Sequence, residues 1–282
     1  MPIQLIECPR DAMQGIKTFI PTPTKIKYIQ KLLKVNFDVL DCTSFVSPKA
    51  IPQLKDSAQV LEALDLSKTK SKLLSILANT RGANDASKFD QVSYLGFPFS
   101  ISEEFQKRNI NSTIQKSFER AQDVQEICLK ANKELVVYIS MGFGNPYGES
   151  WSAEIVEQWT DKLNSIEVKN IALSDTIGVA QPKSITEVFK TLIPKYNNIE
   201  FGAHFHTTPD EWKEKIEAAY LAGCRKFDGA IKGYGGCPMA KDELTGNMPT
   251  ENLVHFFDDK EEMSINQDAF FEAMKASIEV FT

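Results

Sequence analysis

Residues 199–206 read IEFGAHFH, and residues 210–223 read DEWKEKIEAAYLAG. The first stretch has the length and residue types of a strand, the second the apolar spacing of a helix. Together they form one strand–helix unit. The same pairing recurs on both sides. Toward the N-terminus, IQLIE (3–7) precedes TKIKYIQKLL (24–33), FDVLDCT (37–43) precedes DSAQVLEAL (56–64), and KLLSILAN (72–79) precedes DASKF. QVSYLGFPF (91–99) precedes the amphipathic stretch 113–131, ELVVYISMGF (134–143) precedes 152–166, and NIALSDT (170–176) precedes SITEVFKTLIPKY. Beyond the first pair, KFDGAI (226–231) is followed by TENLVHFF and 266–280, which read as closing helices. The apolar runs lack the alternation of a half-wet sheet, so they read as strands covered on both faces of a parallel sheet. Eight such units in 282 residues predict an α/β fold, a (β/α)8 TIM barrel forming one domain over residues 1–282. An open doubly wound sheet is the alternative. No GxGxxG follows the first strand, which weakens a dinucleotide-binding version of it.

The composition is 42% apolar and 25% charged with net charge −6, and no Lys/Arg run marks a nucleic-acid or membrane-surface footprint. No apolar run approaches the ~20 residues of a spanning helix. The opening MPIQLIECPRDAMQG has no signal-peptide pattern, so the expected compartment is the cytoplasm. The five cysteines are scattered and odd in number, which argues for reduced thiols.

A barrel places its chemistry where strands end and the following loops begin. The first strand ends in Arg10, Asp11 and Gln14, the second in Asp41, Thr43 and Ser44, and the sixth in Asp175 and Thr176. The seventh carries two of the chain's three histidines, His204 and His206. On a strand, residues i and i+2 project to the same side, so both imidazoles point into one space while Phe205 faces packing. A pair of hydrogen-bonded core histidines is the plainer reading. The acidic rim favours a divalent cation instead. Imidazole, carboxylate and amide donors without a required thiolate suit Mg²⁺ or Mn²⁺, with Co²⁺ or Zn²⁺ as alternatives. The glycines of GYGGCPMAK let a loop fold over a ligand and bring Cys237 near the cation.

Taken together, PRDAMQ, TPTKIKYIQKL, TSFVSPKAIPQL, KRNINSTIQKSFER, LSDTIGVAQP, AHFHTT and GYGGCPMAKDELTGNMPTENLV resemble the 3-hydroxy-3-methylglutaryl-CoA lyase family, a group of metal-dependent barrels. The resemblance runs from about residue 3 to beyond 255. It implies metal ligands Asp11, His204, His206 and Asn247, with Arg10 neutralising an enolate oxygen and Cys237 near the acetyl carbon. It implies Asp175 and Thr176 in the same pocket, Gln14 beside the substrate, and Ser47 and Lys49 near the CoA arm. His204 or Asp175 is the candidate base, through a water if needed. The chain departs from the family in having Asp41 where Glu is usual, Thr207 where Asp is usual, and one extra residue between Cys237 and Asn247. The implied reaction cleaves an acyl-CoA tertiary alcohol to acetyl-CoA and acetoacetate, in a homodimer. A condensing synthase of the same barrel group and a non-catalytic acyl-CoA-binding barrel are the alternatives.

Overall fold

In the computed structural model, which describes residues 2–237, 245–258, 260, 263 and 265–281, the eight units close into a ring. The strands are β1 (Gln4–Glu7), β2 (Val39–Ser44), β3 (Lys72–Ile76), β4 (Val92–Ser100), β5 (Glu134–Ser140), β6 (Asn170–Asp175), β7 (Glu200–Thr207) and β8 (Lys226–Gly229). Each pairs in parallel with the next, and β8 pairs with β1, so no sheet edge is left open. The doubly wound alternative is thereby ruled out.

The helices are α1 (Pro9–Gln14), α2 (Thr22–Leu33), α3 (Ser57–Ala63), α4 (Thr80–Ala86), α5 (Glu103–Ile110) and α6 (Ile114–Lys130). They continue with α7 (Ala153–Ser165), α8 (Pro182–Lys195), α9 (Trp212–Leu221), α10 (Thr250–Asp258) and α11 (Gln267–Phe281). Their starts follow local chemistry: the side chains of Asn79, Ser102, Thr113 and Ser152 accept hydrogen bonds from first-turn amides of α4, α5, α6 and α7. In α6 the buried Ser117, Ala121, Val124 and Cys128 recur every three or four residues, which turns one stripe onto the strands.

Apolar side chains fill two layers. Ile6, Val39, Leu74, Ile76, Tyr94, Val136, Tyr138 and Ala172 pack inside the ring. A larger set, including Phe97, Phe99, Val137, Phe189 and Phe205, packs between strands and helices. The interior retains a void of only about 10 Å³, so the barrel is a filled core whose chemistry must sit at its mouth.

Three local features depart from the sequence expectation. PRDAMQ is helical, because Pro9 at the first helical position has a preset φ and no amide to satisfy. Ser102 caps an unforeseen helix, α5, which is short and largely polar. A two-residue strand, β9 (Gly246–Asn247), runs antiparallel to β7. Residues 238–244, which contain most of the expected loop beyond Cys237 and its extra residue, lie outside the described residues.

Candidate active site

The turn from β1 into α1 carries Arg10 and Asp11 onto the barrel mouth, both buried. Arg10 is the hub of a charged network. Its Nε donates to both oxygens of Asp41 at 3.1 Å, and its Nη2 donates to Asp41 Oδ2 at 2.5 Å. Its Nη1 donates to Asp11 Oδ1 at 2.9 Å and to Gln14 Oε1 at 3.0 Å. Gln14 in turn donates to Asp11 Oδ1 at 2.5 Å. Nη2 keeps a second N–H with no partner among the described residues. Burial opposes the Arg10 charge, but Asp41 and Asp11 outweigh it and hold the guanidinium charged. Burial pushes Asp41 up to about 6 against the pull of Arg10, which still leaves a carboxylate at neutral pH. Burial would also raise Asp11; Arg10, His204 and His206 prevail and hold it below the usual range.

His204 and His206 project from β7 beside Asp11, and one ligand atom from each of the three lies within 4.8 Å of the others. Phe205, between them, packs outward against Phe143 and Phe189. His206 Nδ1 sits 2.8 Å from the carbonyl of Thr176, so it carries the proton and donates. That leaves Nε2 as a lone pair that is buried and has no partner among the described residues. Burial, with His204 beside it, lowers the pKa of His206 to about 4, so it is neutral at pH 7. A buried, neutral, unpartnered imidazole nitrogen facing a carboxylate is what a metal ligand requires and what a packed core histidine avoids. Asn247, on β9, donates from Nδ2 to Asp11 Oδ2 at 2.7 Å and to the Tyr234 carbonyl at 2.8 Å. Its carbonyl oxygen is then the atom it can offer a cation. The donor set therefore fits a hard divalent ion.

Sequence reasoning missed two residues here. Asp228 stands opposite His204 in the β7–β8 register, and its Oδ2 lies 3.0 Å from His204 Nδ1. It aims the other ring nitrogen, Nε2, at the cluster, as carboxylates behind metal-bound histidines do. Burial would lower the pKa of His204, but Asp228 and Asp11 raise it, which reports a negative potential at the mouth. Lys215, wholly buried on α9, donates to Asp175 Oδ2 at 2.9 Å and to the carbonyls of Gly178 and His206 at 3.0 and 3.1 Å. Only the register of β8 could have pointed to Asp228. Lys215 stands in an ordinary helical pattern.

The remaining candidates divide. Asp175 accepts from Lys215 and from the amides of Val179 and Ala180, so both its oxygens are engaged in holding the turn after β6. Thr176 Oγ1 accepts from the Met141 amide at 2.9 Å, while its carbonyl holds His206. Cys237 packs at the mouth with Phe105, Met141, Ile177 and Tyr147. Thr207 turns its hydroxyl to the carbonyl of Thr208 at 3.0 Å. Ser47 and Lys49 lie on the loop after β2, at the same end of the barrel; among the described residues, no side-chain hydrogen bond or ion pair joins them to the Arg10 network.

The chain matches the HMGL-like family model over residues 3–274. It is 33% identical over 250 residues to the mitochondrial hydroxymethylglutaryl-CoA lyase of Gallus gallus, covering 88% of this chain and 82% of that one. It is 30% identical over 266 residues to a hydroxymethylglutaryl-CoA lyase of Bacillus subtilis, covering 94% and 87%. Among solved structures, a Bacillus subtilis HMG-CoA lyase superposes with a TM-score of 0.92 at 28% identity, covering 99% of this chain and 95% of that one. An Acinetobacter baumannii HMG-CoA lyase in complex with coenzyme A and 3-methylmalate superposes with a TM-score of 0.90 at 28% identity, covering 99% and 91%. With matches spanning the barrel and every element that carries the cluster, the chain belongs to the HMGL-like family.

Proposed function

We propose that this chain is a carbon–carbon lyase that cleaves 3-hydroxy-3-methylglutaryl-CoA to acetoacetate and acetyl-CoA. The observation that carries the reading is the meeting of Arg10, Asp11, His204, His206 and Asn247 at one barrel mouth, in a chain similar over most of its length to such lyases. Asp11, His204, His206 and Asn247 are assigned as ligands of a divalent cation, Mg²⁺ or Mn²⁺. Such an ion lowers the pKa of a bound hydroxyl and supplies positive charge to substrate oxygens.

The chain's own residues do the rest. The free N–H of Arg10 Nη2 meets the thioester oxygen as negative charge develops on it during C–C cleavage. Asp41, Asp11 and Gln14 hold the guanidinium so that it need not reorganise. The filled barrel bars water from below. Cys237 gives its thiol proton to the enolate carbon, and its thiolate takes a proton back from solvent at the mouth before the next turnover. As a ligand His204 has no nitrogen left for the hydroxyl proton, so of the two candidate bases Asp175 is kept, reached through a water: its Oδ1 accepts only from the Val179 amide among the described residues. Ser47, Lys49 and Thr176 stay assigned to the acyl-CoA substrate on the resemblance alone, as does the homodimer.

The cytoplasm stays assigned as the compartment on the sequence reading, with the five cysteines scattered and odd in number. No helix among the described residues is long and apolar enough to cross a membrane. The test is to incubate the purified chain with 3-hydroxy-3-methylglutaryl-CoA and Mg²⁺ and to assay acetoacetate. Stoichiometric acetoacetate and acetyl-CoA, lost on chelation, are expected. Tight binding of the thioester without turnover would sink the reading.

A further inference from the structure

Beneath the cluster lies a second set of donors that the proposed reaction does not use. Cys8 Sγ, an Asp228 oxygen and a His204 nitrogen lie within 4.8 Å of one another. They come from the residue that follows β1 and from the neighbouring strands β8 and β7, and Cys8 packs with the side chains that fill the barrel interior. Both Cys8 and Asp228 are buried. Among the described residues the Cys8 thiol makes one weak hydrogen bond, 4.0 Å to the carbonyl of Ile6. The other buried cysteines, Cys42, Cys128 and Cys224, belong to no such group among the described residues.

We infer that Cys8, Asp228 and His204 form a second cation site, suited to a thiophilic divalent ion such as Zn²⁺ or Cd²⁺, which competes with the upper site for His204. Sulfur, imidazole nitrogen and carboxylate oxygen are the donors that Zn²⁺ accepts, and a thiolate selects against Mg²⁺. The upper group of Asp11, His204 and His206 contains no sulfur. Each group needs His204, and one imidazole aimed at Asp11 cannot also serve the lower set without turning or sharing. Binding exchanges the Cys8 thiol proton for the metal: the S–H bond breaks, an S–metal bond forms, and the proton leaves to buffer. The Asp228 carboxylate beside Cys8 favours a dication in the proton's place. The competition rests on the ligand role assigned to His204 above; the lower site itself does not.

The test uses the full chain, stripped with chelator and titrated with Cd²⁺ while the thiolate-to-cadmium ultraviolet absorption is followed. Wild type and Cys237→Ala should develop the band at one equivalent. Cys8→Ala and Cys8→Ser should lose it, with at least a tenfold drop in Cd²⁺ affinity. One equivalent of Cd²⁺ should weaken Mn²⁺ binding, read by electron paramagnetic resonance, at least tenfold in wild type but not in the Cys8 variants. Should neither Cys8 variant fold, ¹¹³Cd NMR of Cys237→Ala should still report a single sulfur ligand. The inference is overturned if no band forms, if the band follows Cys237 instead, or if Mn²⁺ binding ignores Cd²⁺. A failed acetoacetate assay would not bear on the lower site, since cadmium absorption requires no turnover.

Discussion

At Arg10, the planar fork reaches Asp41, Asp11 and Gln14 at once and still has an N–H for substrate. A lysine ammonium is a point charge on a flexible stem and cannot span these partners. Arg10→Lys should therefore lower kcat by about 10²–10³, the cost of losing one aimed donor to a developing oxyanion. Mn²⁺ affinity should change little, and a near-normal kcat would remove Arg10 from the chemistry. Asp228 acts through His204 rather than on substrate. Asp228→Ala should weaken Mn²⁺ binding by about 10- to 100-fold, as loss of a carboxylate behind a ligating histidine does elsewhere. Asp228→Asn, which keeps an oxygen to accept from Nδ1, should recover part of that loss. Equal losses in the two variants would mean that the acceptor does not matter. The two histidines were legible in the sequence because the strand period alone sets i and i+2 on one side. Asp228 was not, because its meaning depends on pairing with a strand 24 residues away in the chain.

Between elements, Glu7 shows how the barrel is closed. Its carboxyl, at the end of β1, accepts from the amide of Ile231 at 3.0 Å and from Thr250 Oγ1 at 2.5 Å, tying β1 to the segment after β8 and to the first residue of α10. Burial raises its pKa from 4.5 to about 8. The folded state therefore binds this proton more tightly than the unfolded chain does. The stabilisation is complete below about pH 4.5 and is lost as pH rises through about 8. Denaturant midpoints at pH 5.5, 7 and 8.5 should fall more steeply with pH in wild type than in Glu7→Gln; parallel profiles would contradict the assignment. The alternation of strands and helices was readable because each element carries its own period. α1, α5 and β9 were not. A six-residue helix has too little period to see, and a two-residue strand exists only because β7 is beside it.

Across the whole molecule, the barrel brings together residues separated by more than 200 positions: Asn247 donates to Asp11 at 2.7 Å. Gly235 makes that approach sterically open. Its φ is +85°, and a Cβ there would stand 2.8 Å from Asn247 Nδ2 and from the Asp11 carbonyl. The sequence announced this convergence through motifs that lie far apart, whereas the depth of the charged network behind them emerges only when the ring closes. The central claim is that these distant residues hold one divalent cation. Crystals soaked in Mn²⁺ and measured at the manganese edge test it most directly. The expected result is one anomalous peak bonded to an Asp11 carboxylate oxygen, Nε2 of His204 and His206, and the Asn247 carbonyl oxygen. A mouth without a peak, or a manganese ion bound elsewhere in the barrel, would contradict it.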